Sequence, residues 1–274
     1  VADADLWQRL RTIPNEELWA TRATLRRRLV ERVREKSVHD RLSRGEAPDY
    51  VEAAATTFDP DALTIGFARR VATYKRLHLL VRQLDWGLRL LADTRRPIQL
   101  VIAGKAHPSD DDAKRTLQSL TATGHQPGVA SRITFLEDYD LHVAALIVSG
   151  VDVWLNLPRP PLEASGTSGM KVVLNGGLNL SVLDGWWEEA CAGDNGWGIT
   201  TPDTHPDAQD DHDARRLFEI MEGEVIPLFY DRDPRGVPHH WVERIKASMS
   251  GLVPRFSAAR MLEDYVRQLY TPAG

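Results

Sequence analysis

Cysteine is nearly missing from this chain of 274 residues, where Cys191 stands alone. No disulfide can form within it, and a cysteine-based zinc cluster is excluded. An excess of positive charge is also missing. Lys and Arg number 34 against 39 Asp and Glu, a formal net charge of −5. No global basic field for nucleic acid follows from that sum, although a local basic patch is compatible with it. No apolar run approaches the roughly 18–20 residues a membrane helix needs. No charged-then-apolar leader opens the chain. These absences predict a soluble, cytoplasmic protein that meets neither membrane nor nucleic acid. What is present is ordinary globular usage, 42% hydrophobic and 27% charged, which excludes wholesale disorder and fibrous classes. The first residue is Val1 rather than Met, which suggests a piece of something longer.

Leu18, Trp19, Leu25, Leu29 and Val33 recur at roughly helical spacing and predict a helix over 15–36. Asn15 is the expected N-cap, with Glu16 and Glu17 in the first turn. The other face carries Arg22, Arg26, Arg27, Arg28 and Arg32 and is expected to be solvated. Residues 37–57, with Gly45 and Pro48, read as a loop or linker. Short apolar runs then predict strands at Leu63–Phe67, Ile98–Ala103, Arg132–Leu136, Val151–Leu155 and Leu178–Leu183. Helical stretches separate them, up to about Asp93, over 109–121, over Leu141–Ser149 and over Ser168–Asn175. Continuous apolar strands alternating with helices predict a doubly wound, mostly parallel α/β domain of Rossmann-like type. Such a domain binds ligands at the carboxyl ends of its strands. Residues 188–213, with five aspartates from Asp203 to Asp213, read as a long polar surface loop. Amphipathic helices are expected over 214–230 and 257–270. The expected division is a helical segment and linker over 1–57, the Rossmann-like domain over 58–250, and a C-terminal helix over 251–274.

Two motifs carry chemistry. Directly after the first strand, Arg69 to Arg76 holds four cations, Arg69, Arg70, Lys75 and Arg76, in eight residues. A strand's carboxyl end followed by a helix start is where an α/β sheet takes anions, and Arg and Lys both suit phosphate. A solubilising basic turn explains the run equally well. The second motif is Glu163-Ala164-Ser165-Gly166-Thr167-Ser168-Gly169-Met170-Lys171. Small residues let backbone N–H groups approach an anion closely. It is neither a Walker A loop nor a dinucleotide fingerprint. Lys171 sits just inside an apolar stretch of Met170, Val172, Val173 and Leu174. A buried lysine there is costly unless it is paired, shifted in pKa or covalently used. Beside a phosphate cradle, that is the arrangement a pyridoxal 5′-phosphate (PLP) lysine requires.

In order, ARRVATYKR, VIAGKAHP, FLEDY, EASGTSGMK and LNGGLNLSVLDGWWEE resemble the α-glucan (glycogen, starch and maltodextrin) phosphorylases, in particular their bacterial short-form branch. The resemblance covers the family's C-terminal domain, from about residue 1 to the end. It implies the C-terminal half of a GT-B glycosyltransferase fold with flanking helices. It implies a hexosyltransferase that cleaves α-1,4-glucan with inorganic phosphate, with retention, giving glucose 1-phosphate. By that resemblance Lys171 holds PLP as a Schiff base. Thr167, Ser168 and Arg69 match the positions near the PLP phosphate, and Tyr139 a tyrosine near its ring. Arg70 and Lys75 match the residues that bind inorganic phosphate or the phosphate of glucose 1-phosphate. Glu163, Ala164, Ser165 and Gly166 match the stretch that binds the glucosyl hydroxyls. In the family, the 5′-phosphate of the cofactor acts as proton-transfer and electrostatic partner of the substrate phosphate. The full enzyme places its site between two domains, so a missing N-terminal GT-B domain is an implied partner. The lone chain is expected to be inactive. The family often dimerises, and a homodimer stays open.

A retaining nucleotide-sugar glycosyltransferase of the same architecture is the competing enzyme. Lys171 stands where those enzymes place a second glutamate eight residues after the first. A lysine cannot accept a ribose hydroxyl, which favours the phosphorylase. A non-catalytic glucan- or phosphate-binding fragment is the third reading. Trp186, Trp187, Trp197 and Trp241 could stack on sugars but are expected to be packed inside. His78, His107, His125 and His142 lack ligand spacing, and the adjacent His239 and His240 point apart. No structural metal is expected.

Overall fold

A computed structural model describes residues 4–124, 126, 129 and 131–271; His125 lies outside them. Among the described residues six strands form one sheet: β1 (Leu63–Ala68), β2 (Ile98–Ala103), β3 (Ile133–Leu136), β4 (Val153–Asn156), β5 (Leu178–Val182) and β6 (Gly196–Ile199). Every pairing is parallel, in the order β3-β2-β1-β4-β5-β6. The doubly wound sheet expected from the apolar runs is therefore present. The chain starts in the middle, grows to one side through β3, then returns to add β4 beside β1. That reversal opens a crevice at the carboxyl ends of β1 and β4.

Both faces are covered, which is why β1 and β2 are buried along their whole length. Alternate residues serve opposite cores. Leu63, Ile65 and Phe67 join one cluster with Leu79, Leu90, Leu217 and Trp241. Ala68, Val101 and Trp154 join another with Leu29, Val33 and Ile147. Each such aliphatic side chain contributes about 1.5–3 kcal/mol on full burial. The helices, in chain order, are α1 (Ala4–Gln8), α2 (Asn15–Ser43), α3 (Pro48–Ala55), α4 (Leu79–Arg82), α5 (Leu84–Leu91), α6 (Asp111–Gly124) and α7 (Leu141–Gly150). They continue with α8 (Thr167–Leu174), α9 (Trp186–Ala190), α10 (Pro206–Ile220), α11 (Ile226–Tyr230), α12 (His239–Leu252) and α13 (Ala258–Tyr265).

Several local expectations are corrected. The first long helix runs to Ser43, and Pro14 rather than Asn15 precedes it as the cap. Asn15 Nδ2 instead hydrogen-bonds His239 Nδ1 at 3.2 Å. The supposed linker 37–57 contains the end of α2 and all of α3. The arginine face of α2 is split. Arg27, Arg28 and Arg32 are exposed, but Arg22 and Arg26 are buried. Arg26 Nη1 donates to Asp152 Oδ1 at 2.6 Å, and Arg22 donates to the carbonyls of Ser149, Asn175 and Val151. Burial pushes the Arg22 pKa down to about 10, with Asp152 opposing the shift. Residues 188–213 are not one surface loop, since they contain β6 and the first half of α10. Helix α12 supplies Trp241, Val242 and Ile245 to the core. Trp186, Trp187, Trp197 and Trp241 are all buried, as expected of structural tryptophans.

Candidate functional site

The site begins where β1 ends. Arg69 is the first residue past that strand, and its guanidinium reaches across the crevice to the neighbouring strand and loop. Nη1 donates to Asn156 Oδ1, at the end of β4, and to Glu163 Oε2 at 3.1 Å. Nη2 donates to Ser168 Oγ at 2.9 Å. Nε is buried with no hydrogen-bond partner among the described residues. Burial lowers the Arg69 pKa and the neighbouring Glu163 carboxylate works against that shift.

Glu163 is the hub. Its Oε2 also receives the ammonium of Lys75, so one buried carboxylate oxygen faces two buried cations. The Lys75 ammonium lies 4.5 Å from the Tyr74 ring centroid. Glu163 is held from behind, because its backbone N–H donates to Asp184 Oδ2 at 2.9 Å. The other Asp184 oxygen accepts from Gly185 N. Tyr139, half-buried, donates from its hydroxyl to the Ala68 carbonyl at 3.3 Å. Burial raises its pKa, and the positive Arg69 nearby opposes this.

The glycine-rich segment then turns into α8. Gly166 has φ +94°, a left-handed conformation that suits glycine, and it caps the helix. Gly169 is packed so closely that a Cβ would lie 2.6 Å from Asn179 Oδ1 and 3.0 Å from the Trp186 ring. Thr167 and Ser168 thereby open the helix beside Arg69, where free backbone N–H groups favour an anion. Ser165 contributes its carbonyl to Trp186 N at 2.9 Å, and Ala164 is exposed.

Lys171 differs from expectation. It is exposed, not desolvated. Helix α8 turns Val172 and Val173 into the core and leaves Lys171 on the outer face with Thr167. Of the apolar neighbours in sequence, Val172 and Val173 are buried while Leu174 stays exposed beside Lys171. Lys171, Thr167 and Met170 instead line an open cavity of about 620 Å³, closed opposite by Leu252, Val253 and Phe256. Phe256 packs edge-on against Trp186, with ring centroids 5.1 Å apart.

The structure thus brings together Arg69, Lys75, Tyr139, Glu163, Ser168 and, one helical turn further, Lys171. Arg70 is exposed and engages no partner among the described residues. Arg76 does not belong to the cluster. It is fully buried, donating to the carbonyls of Leu157 and Pro158 and to Asp210 and Asp213 of α10. Two of the supposed surface aspartates are therefore its buried counterions. Sequence reading missed Asn156, which ends β4, and Asp184, two residues past β5. An Asp-Gly pair ending an apolar run was the available signal for Asp184.

The chain matches the family model of the carbohydrate phosphorylases over residues 20–190. It is 48% identical over 270 residues to the glycogen phosphorylase of Mycobacterium tuberculosis, covering 98% of this chain and 31% of that protein. It is 42% identical over 266 residues to the glycogen phosphorylase of Aquifex aeolicus, covering 97% and 38%. It is 41% identical over 272 residues to the maltodextrin phosphorylase of Thermococcus litoralis, covering 98% and 31%. The chain spans about a third of the length of the curated relatives it matches.

Proposed function

The chain belongs to the carbohydrate phosphorylase family, and from that premise we propose that it is the C-terminal catalytic part of an α-1,4-glucan phosphorylase. The reaction is PLP-dependent, retaining phosphorolysis of the glucan to glucose 1-phosphate. The observation that carries this reading is the cluster of Arg69, Lys75, Glu163 and Ser168 at the carboxyl ends of β1 and β4. It stands one helical turn from an exposed lysine.

The residues fit PLP. The Arg69 Nε is a buried donor without a partner among the described residues, beside the start of α8, so an anionic group there has a donor waiting. Lys171 lies three residues beyond Ser168 on one helix, which puts their Cβ atoms about 5–6 Å apart. Lys171 is exposed and lines a cavity rather than the core. Lys171 would hold the aldehyde end, and Thr167, Ser168 and Arg69 the phosphate, with Tyr139 near the ring. When bound, the cofactor supplies an anionic proton donor and acceptor through its 5′-phosphate.

The chain's own groups do the rest. Arg70 and Lys75 take inorganic phosphate or the phosphate of glucose 1-phosphate. Two phosphates in one site repel, by about 4 kcal/mol per pair of unit charges 4 Å apart at a surface-like dielectric. Three cations offset that repulsion and hold the pair close enough to share a proton. Glu163 keeps Lys75 and Arg69 aimed at the site, and the Glu163–Gly166 stretch meets the glucosyl hydroxyls. The oxocarbenium-like sugar is then stabilised by phosphate, and no glycosidase-type carboxylate pair is required.

The reading includes a second, N-terminal GT-B domain that completes the cleft, without which this chain is inactive. Residues 58–250 are the cofactor- and phosphate-binding unit, flanked by the helical segments 1–57 and 251–274. The apolar flank of the last helices supports a covering partner: Leu262, Leu269 and Tyr270 are 58%, 65% and 71% exposed. Among the described residues no helix is long and apolar enough to cross a membrane. A cytoplasmic setting belongs to the same proposal, and a single cysteine is compatible with a reducing compartment.

The test is covalent. The chain is incubated with PLP, reduced with borohydride, digested and mapped by mass spectrometry. A pyridoxyl adduct on Lys171, absent from Lys171→Ala, is the expected result. An adduct spread over surface lysines and unchanged in Lys171→Ala overturns the assignment.

A further inference from the structure

Arg76 has a left-handed backbone, with φ +49° and ψ +40°, a conformation that residues with a side chain rarely adopt. Such a residue persists only where its surroundings over-determine it, and it tends to stand where geometry serves a function. The surroundings of Arg76 meet that condition. Its side chain is fully buried, with Nε donating to the Leu157 carbonyl and Nη2 to the Pro158 carbonyl. Nη1 donates to Asp210 Oδ1 at 3.0 Å, and Nη2 also donates to Asp213 Oδ2 at 2.7 Å. Both aspartates are held in turn. Thr201 Oγ1 donates to Asp213 Oδ2 at 2.6 Å, and Arg159 Nη2 donates to Asp210 Oδ1 at 2.8 Å. His78 Nε2 lies 2.8 Å from the other Asp210 oxygen.

This clamp closes on a short segment. Thr73–Lys75 is a single 3-10 turn. Lys75 N donates to the Ala72 carbonyl at 2.8 Å, and Arg76 N to the Thr73 carbonyl at 3.1 Å. Arg159 N donates to the Tyr74 carbonyl at 2.8 Å, so the loop leaving β4 grips the same turn. Consecutive Cα atoms are about 3.8 Å apart, so an anchored Arg76 leaves the Lys75 backbone little freedom. The Lys75 ammonium then meets Glu163 and the Tyr74 ring. A buried ion network is weak evidence of stabilisation, since apolar residues of similar volume often serve as well. Fixing one geometry is the better account of this one.

We propose that Arg76, clamped by Asp210 and Asp213 of α10, is a positioning residue for the phosphate site, holding the Thr73–Lys75 turn so that the Lys75 ammonium faces the anion. The inference rests on the reading that Lys75 takes phosphate. Arg76 itself touches no substrate. Positioning and plain electrostatics predict opposite signs. Removing a negative charge from α10 should tighten anion binding by charge alone. Releasing Arg76 should weaken it.

The dissociation constant for inorganic phosphate is measured by phosphorus NMR titration of the chain, with folding followed separately by urea unfolding. A purely structural role would move the urea midpoint and leave the Kd of the folded chain alone. Asp213→Asn keeps the shape and removes the charge, and should raise Kd at least about fivefold. Arg76→Lys keeps the charge and loses the fork, and should raise it by at least about the same factor. Asp211 pairs with Arg82 on the solvent side of α10, with its side chain 56% exposed. Asp211→Asn should change Kd by less than about twofold. In a Lys75→Ala background Arg76→Lys should add less than about twofold, because its effect runs through Lys75. A Kd that is unchanged or tightened in Asp213→Asn or Arg76→Lys, while Lys75→Ala weakens binding, overturns the positioning role and leaves the phosphate reading standing. An Arg76→Lys effect that persists in full without Lys75 overturns it as well. Phosphate binding that is absent from the parent chain or unaffected by Lys75→Ala overturns the phosphate reading, and the positioning role with it. Should Arg76→Lys or Asp213→Asn fail to fold, the other decides.

Discussion

Arg69 Nη1 donates to Glu163 Oε2 at 3.1 Å, joining the end of β1 to the loop that leaves β4. The same oxygen receives Lys75. One buried carboxylate therefore balances two cations, and the cluster carries a surplus positive charge that suits an anion.

Removing that carboxylate leaves both cations without their shared partner. Glu163→Ala is expected to cost about 3–5 kcal/mol of folding stability, read from urea unfolding. Added inorganic phosphate should recover part of the loss, since it supplies the missing negative charge. A loss under about 1 kcal/mol would show that the cations had found solvent instead.

Neighbouring arginines should behave differently. Arg70 is exposed and unpaired among the described residues, so Arg70→Ala should shift stability by no more than about 0.5 kcal/mol. It should still abolish the stabilisation that millimolar phosphate gives the parent chain. Arg69→Ala should lower both stability and phosphate response. Thermal melts with and without phosphate separate the two.

Gly169 sits where a methyl group has no room, 2.6 Å from Asn179 Oδ1. Gly169→Ala gains helix propensity of less than about 1 kcal/mol. The clash with Asn179 and Trp186 costs about 1–3 kcal/mol. A net destabilisation on chemical denaturation is expected, and a stabilised variant would contradict the packing.

Acid should strike the Arg76 network. Burial alone would raise the Asp210 pKa, but hydrogen bonds from His78 and Arg76 outweigh it and hold the carboxyl down at about 2. A depressed carboxyl contributes stability that is complete above its ordinary value of 3.8. That contribution is lost as the pH falls from there toward 2. The urea midpoint should fall across that window, and Asp210→Asn should flatten the fall.

Asp152 is another buried counterion, far from the site. Its Oδ1 pairs with Arg26, and its Oδ2 accepts from Thr64 N at 3.0 Å. Asp152→Ala should cost about 3–5 kcal/mol in an unfolding titration. An exposed control such as Arg27→Ala should stay within about 0.5 kcal/mol.

Strand positions were legible because each apolar run is short and bounded. Ile98–Ala103 matches β2 residue for residue. β6 was not legible. Its four residues, Gly196–Ile199, include two glycines, and glycine carries no strand signal. The glycine-rich segment and Lys171 could be read because backbone approach demands small residues. The environment of Lys171 could not, since a run of apolar letters does not say which face of the helix is left to solvent.

By itself the sequence determined the parallel sheet, the basic turn after β1 and the small-residue entry to α8, because each is a local pattern of size, polarity and spacing. Only the tertiary structure decided which arginines are solvated and which are buried. Arg26 meets an aspartate 126 residues away, and Arg76 meets one 134 residues away. A charge takes its role from its counterion, and no local spacing reports a partner so distant along the chain.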